Sequence, residues 1–130
     1  NYSKLTIDEE SVKILKHIDS KKNYDQRRKN AMVLHKNLKN SSSINLLFDE
    51  RDMDCPLFVP IIVNPNERNN IRTFLSNNNI YCPVHWPHPN EECVSNLYDM
   101  EISLICDQRY NENDMLRIVD TIDKFQKISS

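Results

Sequence analysis

Two stretches of this chain hold residue types able to do chemistry: Tyr81-Cys82-Pro83-Val84-His85-Trp86-Pro87, and Glu101-Ile102-Ser103-Leu104-Ile105-Cys106-Asp107-Gln108-Arg109-Tyr110. In each, a strand-like run ends in polar and aromatic groups that a buried core does not need. His85 beside Trp86 offers a hydrogen-bonding head next to a flat apolar ring, a pairing suited to sugar or nucleotide rings. The same two residues also suit a tryptophan that plugs the core beneath a satisfied histidine. Asp107 to Tyr110 lies between a strand and a helix cap. The planar fork of Arg109 can clamp a phosphate or carboxylate there. The plainer alternative is a turn in which Asp107 and Arg109 pair locally at the surface, worth little.

Cys82, His85, His88 and Cys93 together offer a Cys2His2 zinc set. Their spacing matches no paired knuckle, in which two close pairs are separated by a longer loop. Strand alternation also sends Cys82 and His85 to opposite faces. No metal site is expected. A Cys–His nucleophile needs a thiol with a lowered pKa, and no local signature supports one. Cys82 and Cys106 read as small buried hydrophobes. His17 and His35 fall on helices, read as solvated, and have no role.

The chain has 130 residues, a net charge of −2 and a 38% hydrophobic share, which implies one domain with a modest core and a wet surface. Basic residues are interrupted by Asp19 and Asp25, so nucleic acid is not an expected partner. No apolar run reaches the ~20 residues of a membrane span, and no apolar segment follows Asn1-Tyr2-Ser3-Lys4 as a signal peptide requires. A cytoplasmic setting with reduced thiols is expected. Glycine is absent, where ~7% is usual. A glycine-rich phosphate loop is thereby excluded, and turns with positive φ must use Asn or Asp. Asparagine occurs 17 times.

The elements that must position these groups follow from the pattern. Residues 6–20 read as a helix capped by Thr6, with Ile7, Ile14, Leu15 and Ile18 on one face. Asp19 to Asn23 is a polar break, either a loop or a frayed turn. Residues 24–39 form a second helix. Tyr24, Ala31, Leu34 and Leu38 make its apolar stripe, and Arg27, Arg28, Lys29 and Lys36 face away from it. Ile44 to Phe48 and Leu57 to Val63 read as strands, with Pro60 at an edge or bulge. Asn64 caps a helix by accepting from the N3 amide, Pro65 takes N1, and Asn77 to Asn79 end it. Ile80 to His85 is the next strand, Glu91 to Tyr98 a helical turn, and Met100 to Cys106 a strand. Asn111 caps a last helix with Met115, Ile118, Val119, Ile122 and Phe125 on one face. The fold class is α+β, a small, mostly antiparallel sheet with helices packed on one face. Residues 1–40 form a helical connector and 41–130 the α+β small domain, one compact unit together.

Taken in order, these segments resemble the C-terminal small domain of the DegT/DnrJ/StrS-type sugar aminotransferases, pyridoxal-phosphate enzymes of fold type I. Arg27-Arg28-x-Asn30, followed by Leu34 and Leu38, is similar to the family's long helix entering the small domain. Pro56 to Ile61 is similar to its first long strand. Glu67 to Leu75, then Ile80 to Trp86, is similar to its helix followed by a strand ending in an aromatic–histidine pair. Ile102-Ser103-Leu104 through Arg109-Tyr110, with Asp114-Met115 and Ile118-Val119, is similar to its closing strand and helix. The resemblance runs from about residue 7 to residue 125.

The resemblance implies a domain packed against a large catalytic domain in a homodimer. Family members move an amino group from glutamate or glutamine to a nucleotide-linked keto sugar, feeding surface polysaccharides or glycosylated metabolites. The small domain lines the substrate side of the cleft, at positions that match His85, Trp86, Arg109 and Tyr110. The Schiff-base lysine, the aspartate on the pyridine nitrogen and the phosphate loop belong to the large domain and have no counterpart here. The ten lysines of this chain fall on helix faces or polar ends. The expectation is a chain with no catalytic residue of its own, binding no cofactor alone, with pyridoxal phosphate in the intact family enzyme. Its partners are the large domain or a second subunit, and a nucleotide-sugar in the intact enzyme. The chain is then a fragment of a longer protein or an orphan product; beginning inside a helical connector favours truncation. The alternative is a stand-alone, non-catalytic binding or interaction module of the same fold.

Overall fold

Only Ile18 and Asp19 separate the first two helices of the computed structural model, which describes residues 7–83, 85 and 96–129. Helix α1 spans Glu9–His17 and α2 spans Ser20–Leu38. The polar break is thus shorter than the sequence implied, because the Asp19 side chain accepts from the Lys22 amide and starts a new helix there. Asp8 caps α1 by accepting from the Ser11 amide over 2.9 Å. Thr6, the expected cap, lies outside the described residues. No residue of α1 is buried, and Ile14 and Leu15 stay exposed.

Strand β1 (Asn45–Leu46) is followed by a 3-10 turn at Glu50–Asp52, strand β2 (Phe58–Ile62) and helix α3 (Pro65–Asn77). Helix α4 (Leu97–Met100), strand β3 (Glu101–Ile105) and helix α5 (Glu112–Ser129) complete the chain. The fold is α+β. Among the described residues the sheet is antiparallel, in the order β1-β2-β3. No helix among them is long and apolar enough to cross a membrane.

The two faces of the sheet differ sharply. Val59 pairs with Leu104 and Ile61 with Ile102, and all four are buried against the helices. Leu34 and Leu38 of α2, Leu75 of α3, and Met115 and Ile122 of α5 join that core. Each such side chain contributes about 1.5–3 kcal/mol on burial. Phe74 and Phe125 meet edge-to-face between α3 and α5, with ring centres 5.6 Å apart. Phe58, Pro60, Ile62, Glu101, Ser103 and Ile105 share the opposite face by strand alternation.

Pro60 sits in the central strand, not at an edge or bulge. Across from β3, Val63 donates to Met100 and Cys106 donates to Leu57, so hydrogen-bonded pairs fall on odd positions of β2. The nitrogen of Pro60 therefore faces β1, just past the last β1 residue that pairs, where a missing donor ends the ladder.

Asn64 caps α3 as expected, but its side chain accepts from the Asn66 amide, one position earlier than N3. At the other end Asn79 has φ 58°, in the region glycine usually supplies. Ile80 donates to the Leu75 carbonyl and Asn79 to Ser76, closing a Schellman motif whose apolar contact joins Ile80 to Leu75.

The expected strand from Ile80 to His85 is absent among its described residues. The Ile80 amide is used by the helix cap, Pro83 has no donor, and the Cys82 carbonyl accepts from Arg72. Two backbone groups of the segment are thus engaged outside any ladder. His35 is buried, not solvated; its Nε2 lies 3.3 Å from the Phe48 carbonyl. His17 is exposed as expected.

Candidate functional site

The β3–α5 turn carries Asp107, Arg109 and Tyr110, and α2 holds it in place. Buried Asn30 directs its side-chain amide at three main-chain carbonyls: Cys106 at 3.3 Å, Asp107 at 3.0 Å and Tyr110 at 2.9 Å. Its own oxygen accepts from Gln26 at 2.8 Å. Arg27, expected to face away from the apolar stripe, turns inward and donates to Gln108 Oε1 over 2.6 Å. Asn111 caps α5 by accepting from the Asn113 amide, while Asp114 accepts from the Asn111 amide.

Within the turn Asp107 is buried and Arg109 is exposed. The guanidinium grips the carboxylate through Nε at 3.0 Å and Nη2 at 2.6 Å, and the Arg109 amide adds a third bond at 2.9 Å. Hydrogen bonding from the Arg109 side chain holds the Asp107 carboxyl below its ordinary value. The local pairing weighed from sequence is therefore present. Arg109 also lies 5.7 Å from the centre of the Tyr110 ring. Tyr110, Tyr81, Ile105 and Met115 border a small, mainly apolar cavity of about 100 Å³.

His85 stands on the outer face of the sheet. Its Nδ1 is 3.1 Å from the Ser103 hydroxyl, which in turn donates to Glu101. Its ring meets Phe58 edge-on, with centroids 4.5 Å apart. Trp86 lies outside the described residues. His85 thus belongs to the mid-sheet surface, and Arg109 and Tyr110 to the turn beyond the end of β3. Asn30, Ser103 and Glu101 were not singled out as site residues by sequence reasoning. A serine and an acid alternating with core residues in β3 was the one signal for the last two.

Burial pushes the Cys82 thiol up to about 11, against the opposing pull of Arg72, and the Cys106 thiol up to about 12. Such thiols are protonated at neutral pH and make poor nucleophiles. Among the described residues no three His, Cys, Asp or Glu side chains gather as a metal site. His88 and Cys93, half of the zinc set, lie outside those residues.

No family model and no curated protein sequence matches the chain. Solved structures do. An aminotransferase TlmJ from Streptoalloteichus hindustanus superposes with a TM-score of 0.72 over 92% of this chain and 35% of its own, at 11% identity. What the two share is the fold. Helicobacter pylori PseC, an aminotransferase in pseudoaminic acid biosynthesis, gives 0.63 over 78% and 32%, at 17% identity. NtdA from Bacillus subtilis, with bound cofactor PMP, gives 0.53 over 78% and 28%, at 16% identity. The chain spans about a third of the length of the structures it matches.

Among the described residues no lysine fits the Schiff-base role that a pyridoxal cofactor requires. A Schiff-base lysine needs a desolvated pocket to become reactive. Every described lysine is exposed. No step through that group is assigned to this chain.

Proposed function

We propose that this chain is one wall of the reaction cleft of an aminotransferase-like protein of the DegT/DnrJ/StrS type, acting on nucleotide-linked keto sugars and not catalytic alone. The observation that carries the reading is the match of 92% of this chain to only 35% of an aminotransferase. In this reading His85 contacts the sugar-nucleotide from the outer face of the sheet, Arg109 and Tyr110 border the same substrate from the β3–α5 turn, and Trp86 is a further substrate contact. Pyridoxal phosphate and its lysine are supplied by a large domain or a second subunit, in the cytoplasm. Residues 1–40 act as the connector to that partner.

The test is expression of the chain with and without its neighbouring reading frame, in the presence of pyridoxal phosphate. The chain alone gives no borohydride-sensitive absorbance band, and the co-expressed pair gives one. In an active pair, His85→Ala lowers nucleotide-sugar turnover at least tenfold while the yield of folded protein is retained. A band from the chain alone, or none from the pair, overturns the reading.

A further inference from the structure

Ser103 is 4% exposed in the middle of β3, opposite Pro60 of β2. Its hydroxyl touches two groups, Glu101 and His85, and has one hydrogen to give. Glu101, two residues back on the same sheet face, offers a carboxylate, which can only accept. The one hydrogen of Ser103 therefore goes to Glu101. What remains on the serine oxygen is lone pairs, and these face His85 Nδ1 at 3.1 Å. A contact of that length between two bare acceptors is repulsive, so Nδ1 must carry a hydrogen. In a neutral imidazole the other nitrogen is then the acceptor. Among the described residues nothing bonds to Nε2, and His85 is exposed. The edge-on contact with Phe58 limits ring rotation.

We propose that Glu101, acting through Ser103, holds neutral His85 in its Nδ1–H form, so that Nε2 is presented as a hydrogen-bond acceptor for a ligand hydroxyl on this face of the sheet. Glu101 and Ser103 are positioning residues in this scheme. The tautomer follows from side-chain geometry alone; the hydroxyl-bearing ligand rests on the function proposed above. An acceptor set beside apolar Phe58 suits a sugar ring, which offers hydroxyl donors at its edge and C–H groups on its face.

Nitrogen-15 spectra of the histidine rings, recorded on the 130-residue chain where the rings are neutral, test this directly. His85 should show the hydrogen on Nδ1. Ser103→Ala removes the acceptor and should move the hydrogen to Nε2. Glu101→Gln should act in the same direction, because a glutamine amide can donate to Ser103 and free the serine hydrogen for Nδ1. Unchanged backbone amide spectra and unchanged His35 resonances establish that the variants fold. A wild-type ring protonated on Nε2 overturns the proposal, as does an Nδ1–H form that survives both substitutions. Loss of the Nδ1–H form in both variants upholds the Glu101–Ser103 control of the tautomer even where the co-expressed pair yields no cofactor band, so the two readings fail separately.

Discussion

Asn30, in the middle of α2, donates to the Tyr110 carbonyl over 2.9 Å, across 80 residues of sequence. The same amide serves Cys106 and Asp107, so one side chain fastens the last turn of the chain to its long helix. Removing it leaves buried carbonyls without a donor, a cost of about 1–3 kcal/mol. Asn30→Ala and the near-isosteric Asn30→Asp, which cannot donate, should both lose that much in urea unfolding. Wild-type stability in Asn30→Asp would refute donation by the amide.

The Asp107–Arg109 grip predicts an acid limb in stability. The folded carboxyl lies below its ordinary value of 3.8 because the guanidinium hydrogen-bonds to it. A lowered folded pKa contributes stability that is fully present above the unfolded value and is lost as pH falls through the folded one. Unfolding midpoints of the wild type should therefore fall more steeply below about pH 4 than those of Asp107→Asn. Arg109→Gln should flatten the same limb. Because the guanidinium is 70% exposed, the loss at neutral pH should be small. Parallel acid limbs in all three proteins would remove Asp107 from the account.

Pro60 offers a gain-of-function test of register. Leu47 already donates to the Pro60 carbonyl over 3.2 Å, and the return bond is missing for want of a hydrogen. Pro60→Val should supply it, extend β1 by a residue and stabilise by up to about 1 kcal/mol. Slow hydrogen exchange at the new amide is the readout; rapid exchange would mean that the nitrogen does not face β1.

Thiol labelling separates buried from reactive cysteine. Cys55 is exposed, whereas Cys106 is buried and Cys82 half-buried with raised pKa values. Iodoacetamide at neutral pH should modify Cys55 in the folded chain and reach Cys82 and Cys106 only on unfolding, as mapped by peptide mass. Modification of Cys106 at the rate of Cys55 would contradict its burial.

Several local signals were legible where the deciding partner is close in sequence, although the Asp19 cap, which accepts from the Lys22 amide three residues on, was not among them. Asn64-Pro65 and Asn77-Asn78-Asn79 bracket α3 because caps and left-handed turns depend on residues within one turn of the helix. The face of α5 was likewise legible from spacing, with Met115, Ile118, Val119 and Ile122 all buried. The strand at Ile80 to His85 was misread for a physical reason. Its composition suits a ladder, but the helix cap takes the Ile80 amide and Arg72 donates to the Cys82 carbonyl. His35 was read as solvated because the Phe48 carbonyl that meets it comes from another segment.

Composition and spacing alone determined that this chain builds an α+β unit without a glycine phosphate loop, with its chemistry-bearing side chains after two strand-like runs. Those outcomes depend on residue type and short-range sterics. Only the tertiary structure decided that Arg27 and Asn30 anchor the Arg109 turn, and that His85 answers to Ser103 and Glu101. Hydrogen bonds are directional and short, so which groups meet depends on how helices and sheet pack, and no local pattern records that.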